Sequence, residues 1–303
     1  MNEVEDDEMI YVQDVSDFPD LERARYERFV CEVQSMDLPT LPVIEIETHV
    51  MHNETLTQSK IGGIPFVQSL EKLPLDANGD PMVMVLQVNL AELPKEQTIF
   101  PVQEGLLQFW IPAYHEGYGL PDYESAGKPY SKLLYHTDLT TQLSLHEINR
   151  YIQTQYNFED IKYNMPFSKV LSLSYTLSEQ VLTPSDYRFN DTFVPVWNKA
   201  NPDFQIETFF DLDDYDGETI FYTFMKEEPN HQLGGYPHLT QLDKREFDES
   251  IRAYSHVLFQ IDSDTRDEHD IIWGDVGTAQ VYIKPEDLAV MKFDDYRYYA
   301  DWS

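Results

Sequence analysis

The chain has 303 residues, of which 42% are hydrophobic and 14% aromatic, and this is enough apolar side chain for a packed core. Its 55 acidic residues against 21 Lys and Arg give a formal charge of −34, which repels nucleic-acid phosphates and anionic membranes. The single cysteine, Cys31, excludes an intrachain disulfide and a four-cysteine zinc site. The acidic N-terminus lacks signal-peptide character and no run of 18 apolar residues occurs, so we expect a cytoplasmic protein.

The N-terminal region predicts an acidic tail followed by a helix. Residues 1–16 are rich in Asp and Glu and form the expected tail. A helix is expected to begin near Asp17, because Pro19 suits its first turn and acidic residues there complement the helix dipole. Cys31 lies in this helix, where a thiol is usually a small buried hydrophobe.

Strand-like patterns dominate from residue 41 onward. Leu41–Val50 alternates apolar and polar residues, the period of a strand with one buried face. Further strand-like runs lie at 83–90, 105–111, 170–177 and 221–225. Ser144 and Glu147 form a capping box, which predicts a helix from about residue 144 to 156. Long polar loops are expected at 112–130 and 203–218.

These elements predict an α+β fold made mostly of antiparallel β-sheet with few helices. The 20 Tyr and 17 Phe, together with frequent Val, Ile and Thr, favour strands over helices. No linker rich in Pro, Ser or Gly divides the chain, so we expect one domain over residues 17–303.

Two segments of the chain resemble each other, which indicates an internal duplication. Both contain a Gly-Gly-x-Pro turn, and Gly62 and Gly234 are 172 positions apart, as are Gly105 and Gly277. We predict two equivalent strand–turn–strand units and name them the first half-unit (about 59–111) and the second half-unit (about 231–283). A phosphate-binding role for the glycines is disfavoured, because the Lys and Ser/Thr of a phosphate loop do not follow them.

The same motifs, in the same order, resemble those of the YwqG-like family. The motifs are Ser59-Lys-Ile-Gly-Gly-Ile-Pro65, Leu86-Gln-Val-Asn-Leu90, Gly105-Leu-Leu-Gln-Phe109, Leu233-Gly-Gly-Tyr-Pro237, Leu258-Phe-Gln-Ile-Asp-Ser-Asp264 and Trp273-Gly-Asp-Val-Gly277. The resemblance covers residue 40 to the C-terminus and is looser between 113 and 230. It implies a bacterial cytosolic domain without an assigned reaction.

The sequence lacks the motifs of several common enzyme classes. There is no His-Glu-x-x-His zinc-peptidase string, no Gly-x-Ser-x-Gly elbow and no dinucleotide fingerprint, so we name no catalytic residue and no cofactor. One loop combines carboxylates with an imidazole, and hard or transition cations accept such ligands. The candidate metal ligands are Asp262, Asp264, His269 and Asp275. The alternative is a solvated acidic loop. His231 and His238 could line the same face.

Two classes of function remain open. The first is a non-catalytic binding protein, for example of the immunity type, whose acidic surface attracts a basic protein and does not bind nucleic acid or membranes. The second is an enzyme or metal-binding protein that uses the loop 262–275. The charge alone is also explained by solubility.

Overall fold

The computed structural model describes residues 36–120, 130–157, 161, 165–203, 205–212, 230–266 and 269–302. The predicted acidic tail, the helix from Asp17 with Cys31, and the strand at 221–225 lie outside the described residues. The loops at 112–130 and 203–218 are described only in part.

The described residues contain twelve strands, and ten of these form one sheet. The strands are β1 Thr40–Val50, β2 Lys60–Ile61, β3 Met82–Asn89, β4 Leu106–Pro112, β5 Lys132–His136, β6 Leu171–Val181, β7 Gln232–Gly234, β8 His256–Asp262, β9 Asp264–Arg266, β10 His269–Ile271, β11 Thr278–Ile283 and β12 Tyr296–Asp301. Their order in the sheet is β12-β11-β8-β7-β1-β6-β2-β3-β4-β5, whereas β9 and β10 form a separate ribbon. The predicted strands at 41–50, 83–90, 105–111 and 170–177 are thereby confirmed.

Four α-helices occur in the described part of the chain. They are α1 Leu145–Gln155, α2 Phe189–Ala200, α3 Lys244–Phe247 and α4 Pro285–Ala289. The capping box is confirmed, because Ser144 Oγ accepts from the Glu147 N–H and the Glu147 carboxylate accepts from the Ser144 N–H. The sequence did not predict α2, since Pro195 lies inside it and a proline normally disfavours a helix interior.

The predicted α+β class is wrong. All the strand pairs of the ten-stranded sheet are antiparallel, and the four helices have 11, 12, 4 and 5 residues, so the architecture is all-β. The physical reason is that strand-favouring aromatic and β-branched residues supply the core, whereas the helices are short additions to the connections.

The sheet curls into a half-barrel around its main core. Phe109 on β4 contacts Phe259 on β8 and Tyr298 on β12, with ring centroids 5.1 and 5.0 Å apart. Several strands separate β4 from β8 in the sheet order, so the contact requires a curled sheet. All three rings are almost fully buried, and burial of each stabilises the fold by roughly 1.5–3 kcal/mol.

The two half-units make the same local contacts. Both glycine pairs adopt positive φ, with 68° and 77° at Gly62 and Gly63, and 71° and 68° at Gly234 and Gly235. After each turn a backbone N–H donates to a buried glutamine: Phe66 N to Gln87 Oε1 at 3.0 Å, and His238 N to Gln260 Oε1 at 2.9 Å. The contacts match position by position, while the origin of the half-units by duplication stays a prediction.

The centre of the sheet is formed by β1 and β6. They pair antiparallel along their whole length, from Thr40 opposite Val181 to Val50 opposite Leu171. Outside this pair, β1 pairs with β7 of the second half-unit, and β6 pairs with β2 of the first. One sheet therefore extends from residue 40 to 301, whereas the domain limits of 17–303 stay a prediction.

Candidate functional site

Three of the four predicted metal ligands lie in or at the end of strands, and one lies in an exposed turn. Asp262 ends β8, Asp264 begins β9 and His269 begins β10, and all three are buried. The short ribbon brings His269 Nε2 to 3.4 Å from Asp264 Oδ2. Asp275 is exposed in the turn after Trp273. The structure thus joins Asp264 to His269 and places Asp275 at the surface.

Asp264 is the acceptor at the centre of a buried polar cluster. Its Oδ2 accepts a hydrogen bond from Thr48 Oγ1 at 3.0 Å and lies 3.3 Å from His231 Nε2. Its Oδ1 accepts from Arg266 Nε at 2.9 Å. Thr48, His231, Asp264 and His269 are each at most 5% exposed. A buried carboxylate needs such partners, because its desolvation is costly without them.

The hydrogen-bond partners determine where the imidazole protons reside. The Asp262 N–H donates to His231 Nδ1 at 3.0 Å, so neutral His231 carries its proton on Nε2 and donates it to Asp264. Thr48 donates its one hydroxyl proton to Asp264. His269 Nε2, which is 3.0 Å from Thr48 Oγ1, must therefore be the donor in that contact.

The electrostatics of the cluster favour a charged Asp264 and a neutral His231. Burial alone would raise the pKa of Asp264, but hydrogen bonds from His231, Arg266 and Thr48 outweigh it and hold that pKa well below its usual value. Burial lowers the pKa of His231 more than the nearby Asp264 carboxylate raises it. At neutral pH the cluster is therefore a carboxylate surrounded by hydrogen-bond donors.

This arrangement disfavours a metal ion. Among the described residues, no group of three or more His, Cys, Asp or Glu side chains is arranged to hold one. A metal on His231 Nε2 would displace the proton to Nδ1, where it would face the Asp262 N–H. The metal assignment of Asp262, Asp264, His269 and Asp275 stays a prediction, and the direction of these hydrogen bonds counts against it.

Sequence reasoning did not identify Thr48 as part of this cluster. In β1 the buried side chains alternate, and Thr48 follows Ile44 and Ile46 on the buried face. The sequence signal for this residue is a hydroxyl at a buried position of an alternating strand, because a buried hydroxyl requires a hydrogen-bond partner. Of the two other histidines, His231 joins the cluster, whereas His238 is buried elsewhere, beside β8.

A second feature is a surface groove between the segment 239–246 and the connections near α2. We call it the 239–246 groove; its volume is about 170 Å³ and its walls include Tyr187, Phe189, Phe209, Phe210, Leu242 and Glu246. Phe210 is 53% exposed and Leu242 57% exposed. Large apolar side chains grouped at a surface commonly mark a site of interaction.

A buried arginine contacts three residues that line the 239–246 groove, namely Asp186, Tyr187 and Asp243. Arg245 Nη2 lies 2.6 Å from Asp243 and 3.3 Å from Asp186, and its guanidinium lies over the rings of Tyr282 and Tyr187 at 4.4 and 4.8 Å. Burial would lower the pKa of Arg245, but Tyr282 and the two aspartates raise it further, so the side chain stays charged. One charged guanidinium therefore holds these three lining residues together.

A curled antiparallel half-barrel with an enclosed polar cluster defines the class of the protein only as an all-β domain. The chain belongs to the DUF1963 family, a domain of unknown function, whose sequence model matches residues 59–301. The predicted lack of an assigned reaction agrees with this match, whereas the name YwqG-like is not confirmed by it. No curated protein matches the chain. In the described part of the chain, every helix is too short or too polar to cross a membrane.

Proposed function

We propose that the protein is a non-catalytic binding protein that associates with a basic protein through its acidic surface. The observation that carries the proposal is the net charge of −34, together with the exposure of the acids. Glu47 on β1, Glu246 in α3 and Glu249 just after α3 are exposed. A basic partner would be steered toward such a surface, and its association rate would rise accordingly.

The negative charge also argues against nucleic acids and anionic membranes as partners. Nucleic acids and anionic membranes carry the same sign as this surface and would be repelled. A cytoplasmic location and a role like that of immunity proteins, which bind basic toxins, are parts of the same proposal. So is the finer YwqG-like assignment, which rests on the motifs from Ser59 to Gly277.

The second candidate is an enzyme or metal-binding protein that uses residues 262–275. The observation in its favour is that His231 and His269 both lie within 3.4 Å of Asp264. Imidazoles beside a carboxylate occur in many acid–base and metal sites. Against this candidate, Asp264 Oδ1 already accepts a hydrogen bond from Arg266, and His231 Nδ1 already accepts one from the Asp262 N–H.

The test is the salt dependence of association with a partner captured from the native host. The screening length falls from about 10 Å at 0.1 M salt to about 3 Å at 1 M, so the on-rate should decrease across this range. Surface plasmon resonance at the two ionic strengths measures it. An acidic partner, or an on-rate indifferent to salt, contradicts the proposal. Turnover of a metabolite that is lost in His269→Ala or Asp275→Ala would favour the second candidate.

A further inference from the structure

We propose that the 239–246 groove is the docking site of the basic partner and takes an apolar side chain flanked by Lys or Arg. The inference rests on the proposed function and assigns that function to one place on the surface. It identifies the partner segment by its chemistry: an aliphatic or aromatic anchor between basic residues.

The apolar part of the proposal follows from exposure. Phe210 and Leu242 border the groove while more than half exposed, and Phe209 and Phe189 line its interior. The groove volume of about 170 Å³ accommodates one leucine-sized or phenylalanine-sized side chain. Interfaces commonly place one apolar anchor in such a depression, surrounded by a polar rim.

The charge of the rim selects a basic partner. Among the residues that the structure describes, the lining contains three acids and no Lys or Arg: Asp186, Asp243 and Glu246. Asp186 and Asp243 are compensated by Arg188 and Arg245. Glu246 is exposed, and so is Asp211, whose carboxylate accepts from the N–H groups of Glu207 and Thr208 next to Phe209.

The described basic residues beside the rim are paired or directed away from it. Arg252 donates to the backbone carbonyl of Glu246, and its Nη1 lies 3.4 Å from the carboxylate of Glu249. Lys244 Nζ lies over the ring of Tyr299, 4.7 Å from its centroid, and Tyr299 borders a different depression. Since each of these arginines is paired with an acid, the exposed carboxylates of Glu246 in the lining and of Asp211 beside Phe210 leave this region negative. Because Arg245 holds Asp186, Tyr187 and Asp243 in place, the site is preformed and costs little reorganisation on binding.

The experiment uses two short peptides of equal positive charge, made of Lys and Arg around a central leucine or a central serine. Fluorescence anisotropy measures binding of each peptide to the full-length protein and to single variants. Leu242→Ser and Glu246→Lys alter the groove. Val290→Ser and Glu286→Lys are matched controls, because Val290 is 70% exposed and Glu286 is exposed on α4. Circular dichroism verifies that each variant is folded.

We expect the leucine peptide to bind about tenfold more tightly than the serine peptide, since a buried leucine contributes in this range. Leu242→Ser should remove that preference, Glu246→Lys should weaken both peptides, and the controls should leave both affinities unchanged. Equal binding of the two peptides, with equal effects of all four variants, overturns the docking site and leaves the proposed function intact. Failure of the wild-type protein to bind either peptide overturns both.

Discussion

Asp264 shows how a cluster with the composition of a metal site can be a structural junction. Its carboxylate accepts hydrogen bonds from β1 through Thr48, from the segment before β7 through His231, and from within β9 through Arg266. His269 adds β10 through Thr48. The cluster therefore joins three parts of the chain that are distant in sequence: β1, the segment before β7, and the β9–β10 ribbon.

The sequence identified part of this junction. Asp264 and His269 are close in the chain, and their proximity could be inferred from one loop. Thr48 is 216 residues from Asp264 and 221 from His269, and no local pattern reports such a separation. Only the pairing of β1 with the second half-unit places Thr48 there, and pairing between distant strands cannot be read from periodicity.

His238 should make the stability of the protein depend on pH. Burial lowers the pKa of His238 from 6.5 to about 4. Below pH 6.5 the unfolded chain binds a proton that the folded chain does not bind until about pH 4, so acid favours unfolding across this window. We expect His238 alone to reduce the free energy of unfolding by about 2 kcal/mol between pH 8 and pH 5.

The variant His238→Phe tests this assignment, because Phe66 occupies the equivalent position in the first half-unit. Urea unfolding at pH 8 and pH 5 measures the free energy for both proteins. The variant should lose about 2 kcal/mol less than the wild type over this interval. An equal loss in the two proteins would show that His238 does not titrate in the expected way.

At the scale of elements, the two Gly-Gly turns share a shape but differ in charge. In the first, Lys60 Nζ donates to Ile64 O at 2.5 Å and to Glu54 Oε1 at 2.9 Å. In the second, Gln232 Nε2 donates to Tyr236 O at 2.7 Å, and Gln180 Oε1 takes the place of Glu54. Gly63 and Gly235 both have positive φ, which side chains rarely adopt, and a Cβ on either would also meet the oxygen of Glu54 or Gln180.

The second turn therefore indicates which substitutions the first turn tolerates. Lys60 is fully buried, and burial lowers its pKa more than Glu54 raises it. Glu54→Gln leaves this ammonium without its counter-charge, so we expect a loss of about 3–5 kcal/mol. The double variant Glu54→Gln, Lys60→Gln recreates the neutral turn and should recover at least about 1 kcal/mol of that loss.

Urea unfolding of the wild type, the two single variants and the double variant forms a complete thermodynamic cycle. If the losses of unfolding free energy in the two single variants add up in the double variant, Glu54 and Lys60 do not stabilise each other. The corresponding pair in the second turn, Gln180 and Gln232, is the internal reference for the neutral arrangement.

Elements with a strong local pattern could be predicted, and elements that depend on the rest of the chain could not. Thr40–Val50 and Leu145–Gln155 were found from alternation and from a capping box. Lys132–His136 and Phe189–Ala200 were missed, because a short edge strand has little pattern and Pro195 obscures the helix. The α+β prediction is wrong because the helices of the described residues are short and lie in the connections of one antiparallel sheet.

At the scale of the whole molecule, β1 is essential to the sheet although it precedes the matched family segment. The match begins at residue 59, whereas β1 ends at Val50 and lies between β7 and β6. Without β1, these two strands would expose unpaired edges, which favour aggregation. We expect a fragment of residues 59–303 to be poorly soluble and not to unfold cooperatively, as judged by circular dichroism.

A synthetic peptide of residues 36–58 should restore the fold when it is added during refolding of this fragment. The control peptide carries Ile44→Asp and Ile46→Asp, which place charges at positions buried in the core. Restoration by the native peptide alone supports the central role of β1. A cooperative fragment that ignores both peptides would show that the sheet closes without it.

The pairing of β1 with strands that lie far along the chain also has a consequence for biosynthesis. Val50 leaves the ribosome well before Leu171, its partner in β6, and earlier still than the partners of β1 in β7. At typical elongation rates the interval to β6 is roughly 10 s, which is long compared with the formation of a local hairpin. During this time the nascent chain exposes Ile44 and Ile46 on a strand without its native neighbours. Completion of the half-barrel must therefore await the second half of translation, and the net negative charge of the chain favours its dispersion in the meantime.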